Sequence, residues 1–296
     1  MKIIVLKFGG TSIGSIHRIK KVARIVKSYT KKYKVIILSS AMSGTTNKLI
    51  DMSKKISDNF ADNEYDTLVS AGEQISCSLL AGQLIENGIQ ARSLMAWQIP
   101  IITEGQHKYS RIKYIYKKRI LKFLNAGVVP VIAGFQGINK DLKITTIGRG
   151  GTDASAIMFA KFFKADRCVI YTDVEGVFTT DPNKLKKAKK IKNISYEEML
   201  EMASLGSKVM QPHSIQDARL NRINIEVKSS FLNKSGTLIT KKKNIINNKI
   251  ITGISSTEND SKITLLGVKD RPGIAASIFK PLSKNSINVD MVVQNI

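Results

Sequence analysis

Cysteine is nearly absent: Cys77 and Cys168 lie far apart and outside any Cys-x-x-Cys pattern. This excludes a disulfide framework or a thiolate zinc site and leaves two buried thiols as the expectation. Histidine is as scarce, and His17, His107 and His213 form no grouping that would suggest a hydrolase. No apolar run approaches the roughly 18 residues of a membrane span. The start, Met1-Lys2-Ile3-Ile4-Val5-Leu6, runs into a strand-like segment without a signal-peptide cleavage pattern, so a cytoplasmic location and no membrane partner are expected. Also missing are the Walker segment Gly-x-x-x-x-Gly-Lys-[Ser/Thr] and the His-Arg-Asp with Asp-Phe-Gly combination of protein kinases. A phosphate-binding reading therefore needs a different architecture.

Acidic residues are few beside basic ones, 23 against 47, leaving a formal charge of +24. Such an excess can mark a nucleic-acid binder. Here the lysines are spread along the chain, in runs such as Lys184 to Lys192 and Lys241-Lys242-Lys243, without interleaved aromatics for base stacking. Solvated faces explain them more simply, and no nucleic-acid partner is expected. With 43% hydrophobic residues, 296 residues can bury one large core or two smaller ones.

The first two-thirds alternates short β-branched runs with longer helical patterns, which predicts an α/β fold with a mainly parallel sheet flanked by helices. Strands are expected at Ile3 to Phe8, Val35 to Ser39, Val128 to Ala133 and Cys168 to Thr172. Helices are expected over Ile16 to Tyr29, Thr67 to Asn87 and Asp153 to Lys164. Asn224 to Thr240 reads as closing strands around a Gly236 turn. The predicted division is a first domain over residues 1–244, a polar linker over 245–261 and a second domain over 262–296. In the last, Lys262 to Val268 reads as a strand, Asp270 to Gly273 as a turn, Ile274 to Ser283 as a helix and Ile287 to Val293 as a strand. One β-α-β unit of that size buries too little to fold alone, so the expectation is that the chain stops partway through this domain or borrows the rest.

The chemistry begins at Lys7-Phe8-Gly9-Gly10-Thr11-Ser12, where a lysine ends an apolar strand and two glycines let backbone approach a ligand, as a phosphate cradle requires. Alone, a strand-end lysine is usually solvated and Gly-Gly usually a turn. Thr146-Ile147-Gly148-Arg149-Gly150-Gly151-Thr152-Asp153 precedes a helix whose N-terminus can face an anion, and Arg149 can grip a carboxylate with two hydrogen bonds. Ser39 to Asn47 places hydroxyls after a strand, where an N-cap is an equally natural reading. In Ser70-Ala71-Gly72-Glu73-Gln74 an acid among small residues could meet a substrate ammonium, though a surface position is its commoner fate. Tyr171 to Pro182 leaves a strand end into a loop, the ligand-facing edge of an α/β sheet.

Taken in order, Lys-Phe-Gly-Gly-Thr-Ser, Ser-Ala-Gly-Glu-Gln, Ile-Gly-Arg-Gly-Gly-Thr-Asp, Thr-Asp-Val-Glu-Gly-Val and Ser-Tyr-Glu-Glu-Met-Leu-Glu-Met-Ala resemble the bacterial aspartokinases of the amino-acid kinase family. The match runs along essentially the whole chain. Val268 to Gly273 resembles the start of an aspartokinase ACT domain, a ferredoxin-like effector-binding module.

The resemblance implies transfer of the γ-phosphoryl group of ATP to the side-chain carboxylate of L-aspartate, giving 4-phospho-L-aspartate. That is the first step toward lysine, threonine, methionine and diaminopimelate. It implies catalytic roles for Lys7, Glu73 and Asp153, with Lys7, Phe8, Gly9 and Gly10 around the phosphoryl group and Ser40 near the nucleotide. Thr45, Thr46, Glu73, Arg149, Gly150, Gly151 and Asp153 would hold aspartate, Glu73 on the amino group and Arg149 on the α-carboxylate. Thr172, Asp173, Phe178, Thr179, Thr180, Asp181, Pro182 and Lys208 match nucleotide positions. Mg²⁺ is implied by ATP chemistry, with no protein ligand named.

A substrate carboxylate, with reference pKa about 3.9, needs no general base. Two departures from the family pattern, His213 where arginine is usual and Asn183 where a basic residue is common, predict weaker nucleotide binding. The early end argues against lysine or threonine feedback and against dimerisation through ACT sheets without deciding either, and a homo-oligomer stays open. An inactive homologue, another amino-acid kinase and a basic nucleic-acid binder are the alternatives.

Overall fold

A computed structural model of the chain describes residues 1–207, 209–241, 251–257, 261–269, 271–285, 287, 289, 292 and 293. Strand β1 (Ile3–Phe8) lies between β2 (Lys34–Ser39) and β9 (Cys168–Thr172), parallel to both. These short β-branched runs are apolar at consecutive positions because both faces of the sheet are covered. Val5 points into one core with Ile36, Leu38 and Phe159. Ile4 and Leu6 point into another with Val22 and Leu80, the two-residue alternation of a strand.

The remaining neighbours are β6 (Val129–Ala133) and β3 (Ala91–Leu94) on one side, then β11 (Ile225–Ser229), β12 (Thr237–Thr240) and β10 (Asn193–Ser195) on the other. The order is β10-β12-β11-β9-β1-β2-β6-β3, and of its pairs β11 with β12 is antiparallel. A second, four-stranded sheet has the order β5 (Arg111–Ile115), β4 (Ile101–Glu104), β7 (Gln136–Ile138), β8 (Ile144–Thr146). None of these strands was expected from the sequence. They are three to five residues long and half-exposed in part, too short to show a period.

Helices α1 (Ile16–Thr30), α3 (Asp62–Glu86) and α5 (Gly151–Phe162) occupy the expected segments, α3 starting five residues earlier than its periodicity indicates. Also present are α2 (Thr45–Ile56), α4 (Lys117–Asn125), α6 (Tyr196–Ser204) and α7 (Pro212–Asn221). Helix α6 starts with a reciprocal capping box between Ser195 and Glu198. The N-cap expected of the hydroxyls after β2 is absent: α2 is capped by Gly44 in the left-handed region, without a side-chain hydrogen bond. Both thiols are buried, as expected.

The chain divides into compact units Met1–Ser256 and Thr257–Ile296. Residues 251–256, which composition marks as linker, belong to the first, where the Ile254 amide donates to Thr179 O at 2.7 Å. In the second unit α8 (Ile274–Lys284) forms where a helix was expected. The strand expected at Lys262 to Val268 does not form, and Leu266 is 90% exposed. A strand needs a neighbouring ladder, and no described segment pairs with this one. Of the strand expected at Ile287 to Val293, residues 288, 290 and 291 lie outside the described residues, as do 245–250 and 258–260 of the expected linker and Lys208. Among the described residues no helix is long and apolar enough to cross a membrane.

Candidate active site

The ends of β1 and β2, helix α3 and the N-terminus of α5 converge. Lys7, near the end of β1 and 9% exposed, places Nζ 2.7 Å from Asp153 Oδ1 in the first turn of α5. The contact is ionic rather than directional, since no hydrogen-bond donor among the described residues is aligned on that oxygen. An acid in the first turn also faces the positive end of the helix dipole.

The two glycines after β1 do different work. The Gly9 amide donates to Tyr171 O at 3.0 Å, extending the β1–β9 ladder, so it is not one of the bare amides expected of a phosphate cradle. The Gly10 and Thr11 amides meet no protein acceptor among the described residues. Gly10 is also demanded by space, because a Cβ there would sit 2.8 Å from Ala41 O. Gly10→Ala is accordingly expected to cost about 1–3 kcal/mol of stability by overpacking, read as a lower urea midpoint with unchanged m-value.

On α3, Glu73 is 4% exposed rather than on the surface. Its Oε1 accepts the Ala41 amide at 3.0 Å, while Oε2 is buried with no hydrogen-bond partner among the described residues. Burial pushes its carboxyl up to about 8, opposed by the Ala41 hydrogen bond. Three residues on, Ser76 lies on the same helix face, donates to Ser40 O at 2.5 Å and meets Ser39 Oγ at 3.0 Å, fastening the β2 loop to α3. Gly72 keeps this face close: a Cβ would lie 2.7 Å from Ala41 Cβ and 3.4 Å from Thr45 Cγ2. Thr45 thus stands beside Gly72, the neighbour of Glu73 in the chain, and Thr46 follows it in α2. Ser76 was missed in the sequence although its helical spacing from Glu73 marks it.

Gly150 caps α5 at φ +73, and a Cβ on Gly151 would meet Phe135 Cδ2 at 2.8 Å. Just before them Arg149, flanked by Gly148 and Gly150 at positive φ, is exposed and lines an open cavity of about 600 Å³ with Arg111, Lys161, His213 and Asp217. Burial raises the Asp217 carboxyl, opposed by His213, Arg111 and Lys161.

The loop after β9 is held by its backbone. Thr172 O accepts from Ser230 N at 2.9 Å, Thr172 Oγ1 donates to Asp173 Oδ1 at 3.0 Å, and Phe178 bridges to Lys190. The Thr179 amide donates to Lys189 O, and Asp181 Oδ1 accepts the Asn183 amide at 2.9 Å. Thr180 is half-buried, whereas Asp181 and Pro182 are exposed. Of the two departures, Asn183 sits in this loop and His213 lies against the Gly150 turn, its Cε1 3.6 Å from a Cβ built there.

The family model for the amino acid kinase family matches residues 2–229, and an aspartate kinase of Pseudomonas putida is 45% identical over all of this chain and 72% of its own length. The chain belongs to the aspartokinases of the amino acid kinase family. An aspartokinase of Geobacillus stearothermophilus is 44% identical, with 100% of this chain and 73% of that protein aligned. Among solved structures, this aspartokinase-family chain superposes on Escherichia coli aspartokinase III in complex with aspartate and ADP with a TM-score of 0.79. They share 25% identity, covering 99% of this chain and 77% of that one. An ACT-domain model matches residues 263–296, so the irregular segment before α8 belongs to an ACT sequence all the same.

Proposed function

We propose how individual residues of this chain carry out phosphoryl transfer to aspartate. The chain is an aspartate kinase, as its relatives over the full length are. ATP is the phosphoryl donor, and the proposed acceptor atom is a side-chain carboxylate oxygen of L-aspartate. The observation that carries the residue assignment is the Lys7–Asp153 pair at 2.7 Å, which sets a cation at the meeting point of β1 and the N-terminus of α5.

The obstacle is repulsion between an anionic nucleophile and an anionic phosphate, so the site must align the two and neutralise charge as it builds in the transition state. Lys7, the Gly10 and Thr11 amides and the α5 N-terminus supply positive potential; Asp153 holds the Lys7 ammonium in place. Glu73 Oε2, buried without a donor, receives the substrate ammonium, with Thr45 and Thr46 at its flank. Arg149 pairs with the α-carboxylate, and the Gly150–Gly151 turn lets it swing inward. Phe8, Ser40 and the loop from Thr172 through Asp173 to Phe178, Thr179, Thr180, Asp181 and Pro182 flank the nucleotide, as does Lys208.

Mg²⁺, when bound with the nucleotide, would add positive charge against the phosphates. Among the described residues no three His, Cys, Asp or Glu side chains converge, which suits an ion that keeps waters and leans on phosphate. We place the enzyme in the cytoplasm, where ATP and aspartate are found together. We take residues 1–244 as catalytic and 262–296 as regulatory, the latter supported by their ACT match.

The test is ADP release with Mg-ATP and L-aspartate, trapping the acyl phosphate with hydroxylamine. Hydroxamate is expected with aspartate and not with L-glutamate. Equal product from glutamate would favour another amino-acid kinase.

A further inference from the structure

Seven residues before Glu73 on α3 stands a second acid, Asp66, 0% exposed and, among the described residues, paired with no lysine or arginine side chain. Its carboxylate is fully used. Oδ2 faces His107 Nδ1 at 2.7 Å, both oxygens accept the Lys108 amide at 3.1 Å, and Oδ1 accepts Thr146 Oγ1 at 2.5 Å. A carboxylate only accepts, so the His107 hydrogen sits on Nδ1 in this contact. A buried carboxylate is costly unless its oxygens are met by donors, and here both are.

What Asp66 grips is the approach to Arg149 from two directions. Thr146 ends β8, three residues before Arg149, and its carbonyl accepts the Ser110 amide at 3.0 Å. Lys108 is held at φ +67, a left-handed conformation that a residue with a Cβ adopts only where its surroundings hold it there. Its carbonyl lies 3.0 Å from the position of a Gly148 Cβ, so this loop packs directly on the turn that presents Arg149. A parallel link strengthens the seam: Gln136, paired with Thr146 across β7–β8, donates from Nε2 to Ser70 O on α3 at 3.3 Å.

Residues 66 and 73 lie two helical turns apart on one face of α3, about 10 Å along a rigid axis. We propose that Asp66 is a positioning residue for the amino-acid substrate: through Thr146 and Lys108 it fixes the Arg149 turn against α3 and so sets the distance between the carboxylate-binding and ammonium-binding groups. It touches neither ATP nor the reacting atoms. The inference rests on the assignment of Glu73 and Arg149 as substrate ligands.

The experiment compares Thr146→Val, which keeps shape and removes the hydroxyl, with Thr146→Ser, which keeps the hydroxyl, measuring KM for aspartate, KM for ATP and Tm. The expected result for Thr146→Val is a KM for aspartate raised about tenfold or more with KM for ATP within about twofold, and for Thr146→Ser near-native values of both. His107→Ala, at a half-exposed loop position, is expected to raise the aspartate KM about threefold and covers the case in which Thr146→Val does not fold. A lower Tm with unchanged aspartate KM in both variants, or equal changes in the two KM values, would overturn the proposal. Glu73→Gln in the same assay separates the two readings. If it leaves the aspartate KM unchanged, the substrate assignment itself fails; if it raises that KM and Thr146→Val does not, only the role of Asp66 fails.

Discussion

Lys7→Ala is expected to lower kcat several hundred-fold while moving KM for ATP and aspartate only a few-fold. An ammonium that faces charge developing on the transferred phosphoryl group is worth about 3–4 kcal/mol in the transition state, and each 1.36 kcal/mol is a factor of ten. In the ground state ATP is held by many other contacts, so the loss falls on turnover. The substitution also strips Asp153 of its partner inside the protein, and an unpaired buried carboxylate is destabilising. The double variant Lys7→Met/Asp153→Asn removes both charges together. It is expected to regain Tm but not kcat, which distinguishes a catalytic role from a structural one. A loss below about tenfold in Lys7→Ala, measured under single turnover, would take Lys7 out of the transition state.

Glu73→Gln is expected to reduce kcat/KM for aspartate by two to three orders of magnitude and to abolish its pH dependence. The argument runs through the proton. Burial holds the Glu73 carboxyl at about 8 in the free enzyme, so near neutral pH it is mostly protonated. A substrate ammonium needs it ionised, and binding must expel that proton. For the wild type, kcat/KM for aspartate should therefore rise close to tenfold per pH unit below 8 and flatten above it, until the substrate ammonium itself titrates. Stability moves the other way. Between the unfolded value of 4.5 and about 8 the folded state binds more protons than the unfolded state, so stability of the free enzyme falls as pH rises through that window. Saturating aspartate should offset the fall, and Glu73→Gln should lack it. A flat profile for the wild type between pH 6 and 8 would mean that Glu73 does not meet the ammonium.

The elements legible in the sequence were those with a strong local signal. Ile3 to Phe8 and Cys168 to Thr172 are strands at the predicted residues, because a continuous β-branched run between turn residues has few other outcomes. The second sheet was illegible: three-residue strands such as Gln136–Ile138 carry no period and exist because neighbours complete their ladders. Lys262 to Val268 shows the converse, a strand-like run left irregular where no described segment pairs with it.

The sequence by itself determined the inventory: which residues could carry phosphoryl transfer, and in what order they occur. Lys7, Arg149 and Asp153 were legible beside a turn or helix start, whereas Glu73 read as an acid inside a helical pattern whose commoner fate is the surface, and its role came from the family resemblance. Only the tertiary structure decided what each one faces. Lys7 and Asp153, 146 positions apart, pair because β1 meets the N-terminus of α5. Gly9 loses its amide to Tyr171 because β9 continues alongside. Glu73 keeps its proton because burial removes water from it, an effect that outweighs the opposing Ala41 hydrogen bond. Propensity and turn chemistry act over a few residues and can be read along the chain, whereas desolvation, ion pairing and strand pairing depend on groups brought together from distant segments.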